Sequence, residues 1–185
     1  MIDVIEITIE DFKKNIYNEY INLFPKEEQR DWNKIEDTYK KGIEKFYKIV
    51  LDNIIIGFFM LEKINDNYPF YLDYFAIFKD FQNNGYGSKA INKLFDKIIL
   101  EDGLIGEIEK DDLNNPITIK RLNFYKKLGF EKCESEYLLY NVLYVPIIKS
   151  GTKKLIKSEI DKVFFEYYKT NCGEIEVKNK CKIMK

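Results

Sequence analysis

From Phe70 to Ile99 the chain passes through three kinds of sequence without a break, and this passage constrains its fold more than any other feature. Phe70–Phe78 (FYLDYFAIF) carries apolar and aromatic residues at both odd and even positions. A strand with one solvated face alternates, so a strand without alternation is covered on both faces. The residues Gln82–Ser88 (QNNGYGS) are polar and contain two glycines. Ala90, Ile91, Leu94, Phe95, Ile98 and Ile99 then recur at helical spacing. A covered strand that turns through a glycine loop into an amphipathic helix belongs to a layered architecture of sheet and helices.

The flanking sequence fills out that architecture. Thr8 and Asp11 make a variant capping box, and Ile9, Phe12, Ile16, Tyr20 and Phe24 follow at helical spacing until Pro25. Lys26–Lys41 reads as a more polar helix with Trp32, Ile35 and Tyr39 along one side, closed by Gly42. Lys45–Leu51 and Ile54–Glu62 read as a hairpin around Asp52-Asn53, residue types that tolerate a left-handed turn. Leu104–Glu109 is a further strand, and Asn115-Pro116 starts a helix that ends at Gly129. Glu131–Tyr144 and Thr152–Lys157 read as late strands. Ser158 and Asp161 cap a last helix bearing Ile160, Val163, Phe164, Tyr167 and Tyr168. The expected fold is α/β, of α+β type, with a mixed, mostly antiparallel central sheet and helices on both faces. One domain is expected over residues 1–170, with 171–185 as a polar C-terminal tail.

Composition removes several mechanisms. The 185 residues include no histidine, so neither a Ser/His/Asp nor a Cys/His pair can form, and no imidazole cluster can bind a metal. No metal is expected. The three cysteines, Cys133, Cys172 and Cys181, lack CxxC spacing and read as reduced thiols. Lys+Arg number 30 against 31 Asp+Glu, a net charge of -1 that argues against a nucleic-acid partner. The longest apolar run, Ile54–Leu61, is far short of the roughly 20 residues that span a bilayer, and the acidic start is unlike a signal peptide. A cytoplasmic protein without a membrane partner is expected.

The glycine loop suits a pyrophosphate, because converging backbone N–H groups and a helix start attract anions. Lys89 follows Ser88, but the order Gly-Lys-Ser/Thr of a P-loop is absent. A second motif, FYKKLGF at Phe124–Phe130, places Tyr125 one turn before the helix-ending Gly129. Together, LDYFAIFKDFQNNGYGS and FYKKLGF, supported by GEIE at Gly106–Glu109, resemble the GNAT superfamily of acetyl-CoA-dependent N-acetyltransferases. The resemblance is close from about Ile54 to Phe130 and implies a single GNAT-like domain. Gln82, Gly85 and Gly87 match its Q/R-x-x-G-x-G/A loop. It implies that Gln82, Asn83, Asn84, Gly85, Tyr86, Gly87 and Ser88 form the CoA pyrophosphate site. It also implies that Phe75, Ala76 and Ile77 pair with the pantetheine arm. Thr118 stands where many members carry asparagine, and Gln82 where many carry arginine.

Aminolysis of a thioester needs a neutral amine, a polarised carbonyl and a proton for the departing thiolate. Tyr125 matches the family tyrosine and is the candidate general acid. Glu107 matches a glutamate that some members use, and is the candidate base for the incoming amine, with Glu62 and Asp73 as rivals. The resemblance implies transfer of acetyl from acetyl-CoA to a primary amine in a ternary complex. Acidic residues at Glu62, Asp66, Glu107, Asp111 and Asp112 favour a cationic acceptor, a small molecule or a peptide. The protein is expected as a monomer or homodimer. A non-catalytic acyl-CoA-binding regulatory module and a nucleotide-binding module are the alternatives.

Overall fold

The computed structural model describes residues 1–139, 141–153, 155 and 159–184. They form two compact units, Met1–Asn65 with Leu72–Ile98, and Asp66–Tyr71 with Ile99–Lys185.

The first unit opens with β1 (Ile2–Ile7), which the sequence reading lacks. Only Val4 and Ile7 of its six residues are buried, so the alternation that marks a strand is weak; pairing with β2 supplies the order. Thr8 Oγ1 accepts the Asp11 N–H at 3.2 Å and starts α1 (Ile9–Asn15). The expected single helix is interrupted at Ile16 (φ −130°), beyond which α2 (Tyr17–Leu23) begins. Ile16 still donates to Phe12 and accepts from Tyr20, so the chain bends there without losing its bonding. One 3-10 turn, Lys26–Glu28, precedes α3 (Trp32–Lys40), which is shorter than the expected helix. Trp32 meets Tyr17 edge-on at 4.8 Å and lies beneath the Lys13 ammonium at 4.5 Å.

β2 (Glu44–Leu51) and β3 (Ile54–Glu62) form the expected antiparallel hairpin. Asp52 and Asn53 turn it with φ of 47° and 70°. β4 (Phe70–Ile77) neighbours β3, and α4 (Tyr86–Leu94) follows the glycine loop before a π turn at Phe95–Ile99. The core of this unit gathers Phe12, Ile16, Tyr20, Ile35, Phe46 and Phe58. Phe12 stacks on Phe46 at 4.4 Å, and Tyr20 meets Tyr74 edge-on at 4.9 Å. Aromatic pairs of this geometry are worth about 0.5–1.5 kcal/mol beyond their burial.

The second unit contains the start of β4, with Phe70↔Leu104 and Tyr71↔Ile105 in parallel register with β5 (Leu104–Glu109). Asn115 Oδ1 accepts from Ile117 N at 3.3 Å and Pro116 occupies the first position of α5 (Pro116–Lys127). After it come β6 (Glu131–Lys132), β7 (Glu136–Leu139) and β8 (Val142–Lys149), with Asn141 (φ 68°) in the turn before β8. β8 pairs antiparallel with β5, β6 and β7. These pairings make the sheet mixed and mostly antiparallel, as expected.

Thr152 and Lys153, expected in a strand, instead bend and donate to the Leu100 and Glu101 carbonyls at 2.8 and 3.0 Å. The rest of that strand, apart from Leu155, and the Ser158 cap lie outside the described residues. α6 (Ile160–Cys172) carries the expected apolar face, and Asp161 accepts the Tyr137 hydroxyl at 2.5 Å. Where the sequence reads as a loose polar tail, the chain forms α7 (Glu174–Lys180) and β9 (Cys181–Met184), and β9 pairs antiparallel with β7. The alternation in this segment is too short to announce a strand without its partner. No helix among the described residues is long and apolar enough to cross a membrane.

Candidate active site

The glycine loop lies in the first unit. Phe75, Ala76 and Ile77 end β4 half-buried, and Phe75 stacks on Phe59 at 4.6 Å. Gly57 opposite them has a structural duty the sequence reading missed: a Cβ there would stand 2.3 Å from the Ala76 carbonyl oxygen. Gln82, Asn83, Asn84 and Gly85 are exposed, while Tyr86, Gly87 and Ser88 are half-buried in the first turn of α4. Asn83 (φ 63°) and Gly85 (φ 73°) both take the left-handed conformation. Gly85 is also the N-cap, so α4 begins without a side-chain cap. The N–H groups of a first helical turn have no partner within their own helix. Here none is closed by a capping side chain, and the donors are those an anion takes.

Gln82 does not reach outward from this loop. Its Nε2 donates to the Ile77 carbonyl at 2.8 Å, and Asn84 Nδ2 donates to the Gln82 carbonyl at 3.0 Å. Both side chains brace the loop from within. Lys89 lies over the Tyr86 ring at 5.8 Å.

Tyr125 and Glu107 lie in the second unit. Tyr125 is buried, with its ring edge-on to Phe124 and Phe130 at 5.1 and 5.2 Å. Its carbonyl accepts from Phe130 N at 3.1 Å, the closure that Gly129 (φ 83°) permits. Burial pushes the phenol up to about 12, against the lowering influence of Arg121 and with a further upward push from Glu107. Glu107, on β5, is half-buried and tightly held. The Tyr71 hydroxyl donates to its Oε1 and Oε2 at 2.6 and 2.7 Å, and the Tyr168 hydroxyl donates to Oε1 at 2.8 Å.

The rival carboxylates have another partner. Arg30, one of two arginines in the chain, donates to Glu62 and Glu44 at 2.6 Å each, and to Asp73 and the Thr38 hydroxyl. Glu44 and Glu62 are fully buried. Carboxylate oxygens of Glu44, Glu62 and Asp73 lie within 4.8 Å of one another, a spacing fit for a cation, and the guanidinium takes that place. Burial pushes Glu44 up to about 7 and raises Asp73, with Arg30 pulling both down. Glu62 and Asp73 are therefore committed to an ionic knot. Tyr20 Oη accepts the Arg30 backbone N–H at 2.7 Å, and the Tyr74 hydroxyl donates to the Glu28 carbonyl at 2.5 Å. The sequence offers only the rarity of arginine among so many lysines as a signal for this cluster.

Other expected contributors are paired locally. Thr118 is buried, donating to the Asn115 carbonyl at 2.8 Å and accepting from Asp112 N at 2.9 Å. Arg121 pairs with Glu109 at 3.3 Å, and Asp111 with Lys132. Asp112 Oδ1 accepts from Asn114 N at 2.9 Å. Of the acidic residues expected to draw a cationic acceptor, Glu62, Glu107, Asp111 and Asp112 are thus engaged within their own units. Cys133 is buried and Cys172 half-buried, and neither forms a disulfide.

Solved structures share this fold. A GNAT-family protein from Bacteroides thetaiotaomicron, described as an acetyltransferase, superposes with a TM-score of 0.77 at 21% identity, covering 92% of this chain and 98% of its own. The ribosomal-protein-S18-alanine N-acetyltransferase of Escherichia coli gives 0.57 at 15% identity, covering 84% and 100%. A GNAT-family acetyltransferase from Elizabethkingia anophelis, with acetyl-CoA bound, gives 0.54 at 18% identity, covering 80% and 97%. No curated protein sequence matches significantly. The profile of the acetyltransferase (GNAT) family matches residues 9–130, a span that runs from α1 through the glycine loop to the Phe130 that closes the FYKKLGF motif. The chain belongs to the GNAT family of acetyltransferases.

Proposed function

We propose that this protein transfers the acetyl group of acetyl-CoA to a primary amine, by direct attack within a ternary complex. The observation that carries the proposal is the start of α4: left-handed turns at Asn83 and Gly85 lead into a helix with no side-chain cap. That donor set fits a pyrophosphate. Asn83–Ser88 would hold it through backbone N–H groups, and Phe75–Ile77 would offer strand amides to the pantetheine arm. Acetyl-CoA supplies an acyl group already activated as a thioester. Acetyl-CoA in the Elizabethkingia relative supports the choice of co-substrate.

Glu107, kept as an acceptor by two phenol donors, is the proposed base that takes a proton from the incoming ammonium, directly or through water. Tyr125, raised to about 12, holds its proton throughout the neutral range. Full proton transfer from a phenol that burial keeps protonated to the more acidic thiol is uphill. Tyr125 therefore acts first as a hydrogen-bond donor to the departing sulfur. With no histidine in the chain, no imidazole enters the cycle. The acceptor is a small-molecule or peptide amine; the Escherichia coli relative is named for a protein acceptor.

The test is thiol release from acetyl-CoA across a panel of polyamine, aminoglycoside and peptide amines, with wild type beside Tyr125→Phe. Turnover by wild type and a kcat about 100-fold lower in the variant, with acetyl-CoA affinity retained, is the expected result. Binding of acetyl-CoA without thiol release from any amine would instead mark a regulatory module. A variant as fast as wild type at every pH removes Tyr125 from the mechanism.

A further inference from the structure

We infer that Tyr168 is a positioning residue for the transfer reaction, acting with Tyr71 through the carboxylate of Glu107. The inference rests on the proposed role of Glu107 as base. Tyr168 belongs to α6, which lies beyond the 9–130 span of the family match, and it stands 61 residues from its partner in the chain.

The geometry is that of a held carboxylate. Tyr71 shares its one hydroxyl proton between both oxygens of Glu107, and Tyr168 adds a second donor at Oε1. Bonds from two different elements to one carboxylate fix its plane as well as its position. The phenols are themselves fixed. Tyr71 is buried, stacks on Tyr167 at 4.9 Å and meets Phe164 edge-on at 5.8 Å. Tyr168 packs against the same Phe164 at 6.2 Å, and Phe164 is fully buried. Tyr167 anchors the helix by donating to the Pro69 carbonyl at 2.5 Å, two residues before Tyr71. α6 therefore supports one donor through stacking and supplies the other directly.

Two phenol donors favour the ionised carboxylate, the form a base must have. They also hold it still, so a proton-accepting oxygen need not be ordered at the moment of reaction. Among the described residues, the groups that face Glu107 include Tyr71 on β4, Tyr168 on α6, and Tyr125 on α5, which feels its charge. Across the ladder, its β8 neighbour is Pro146, which carries no titratable group.

The experiment uses Tyr168→Phe, which keeps the ring and removes the donor. The expected result is a kcat 5–10-fold lower at neutral pH, an acid limb of kcat/KM moved upward by half a pH unit or more, and an unchanged KM for acetyl-CoA. Combining Tyr168→Phe with Glu107→Gln should give no further loss beyond Glu107→Gln alone. A lowered Tm with an unmoved acid limb, or effects that multiply in the double variant, would overturn the inference and leave Tyr168 a packing residue. A readout free of activity separates this from the base assignment: the carboxyl titration of Glu107 by 13C NMR, assigned by its loss in Glu107→Gln. If the midpoint is unmoved in Tyr168→Phe, the inference falls even where Glu107→Gln is inactive. A midpoint that moves beside a fully active Glu107→Gln upholds the hydrogen-bonded pair but overturns its part in catalysis, and with it the base role.

Discussion

At the Arg30 knot one guanidinium faces three carboxylates, so ionising all of them leaves two uncompensated negative charges away from water. Burial holds Glu44 up to about 7, against an ordinary value near 4.3. A carboxyl whose pKa is higher in the folded protein contributes stability that is complete below the ordinary range and is lost as pH rises through about 7. The melting temperature should therefore fall by ~3 °C between pH 6 and pH 8 from this group, about 1 kcal/mol. Glu44→Gln should flatten that slope in a thermal melt; an unchanged slope would mean that the proton resides elsewhere. Losing Arg30 is the harsher change, with buried carboxylates left unpaired at a cost of about 3–5 kcal/mol. Beyond the rarity of arginine, none of this is legible in the sequence, because the β2–β3 register sets Glu44 opposite Glu62 and Arg30 and Asp73 reach them from other segments. Tyr125 is the opposite case: its place before Gly129 is written within one helical turn, and the structure adds only its burial.

Short-range pattern explains which elements could be read. The hairpin about Asp52-Asn53 and the bounds of β5 follow from alternation and turn chemistry that lie within a few residues. β1, β9 and the bend at Thr152 depend on partners far along the chain, and the sequence reading missed them. The start of α4 combines both kinds of information: its glycines are visible, but the inward turn of Gln82 is not. Gly85 meets no protein atom within 4 Å of a would-be Cβ, so it answers the left-handed backbone and not a tight contact. Gly85→Ala should cost about 1–2 kcal/mol of stability and tilt the N–H groups that follow. Its expected signature is a roughly tenfold weaker Kd for acetyl-CoA in calorimetry, equal to about 1.4 kcal/mol. A variant that binds as tightly as wild type would show that the pyrophosphate is held by other groups.

Over the whole molecule, β4 is the element that both units use: Phe70 and Tyr71 count with the second, and Leu72–Ile77 with the first. The expected behaviour is a single cooperative transition. The chain carries its own optical probe for that expectation. Trp32, its one tryptophan, sits in the first unit between the Tyr17 ring and the Lys13 ammonium, whereas far-ultraviolet dichroism averages over every helix and strand. Emission and dichroism should fall together in a urea titration; emission that shifts at lower urea would reveal the first unit opening by itself. With 14 tyrosines able to pass excitation to a single indole, exciting the phenols and watching Trp32 turns the packing of the aromatic core into a measurable colour, readable without any label.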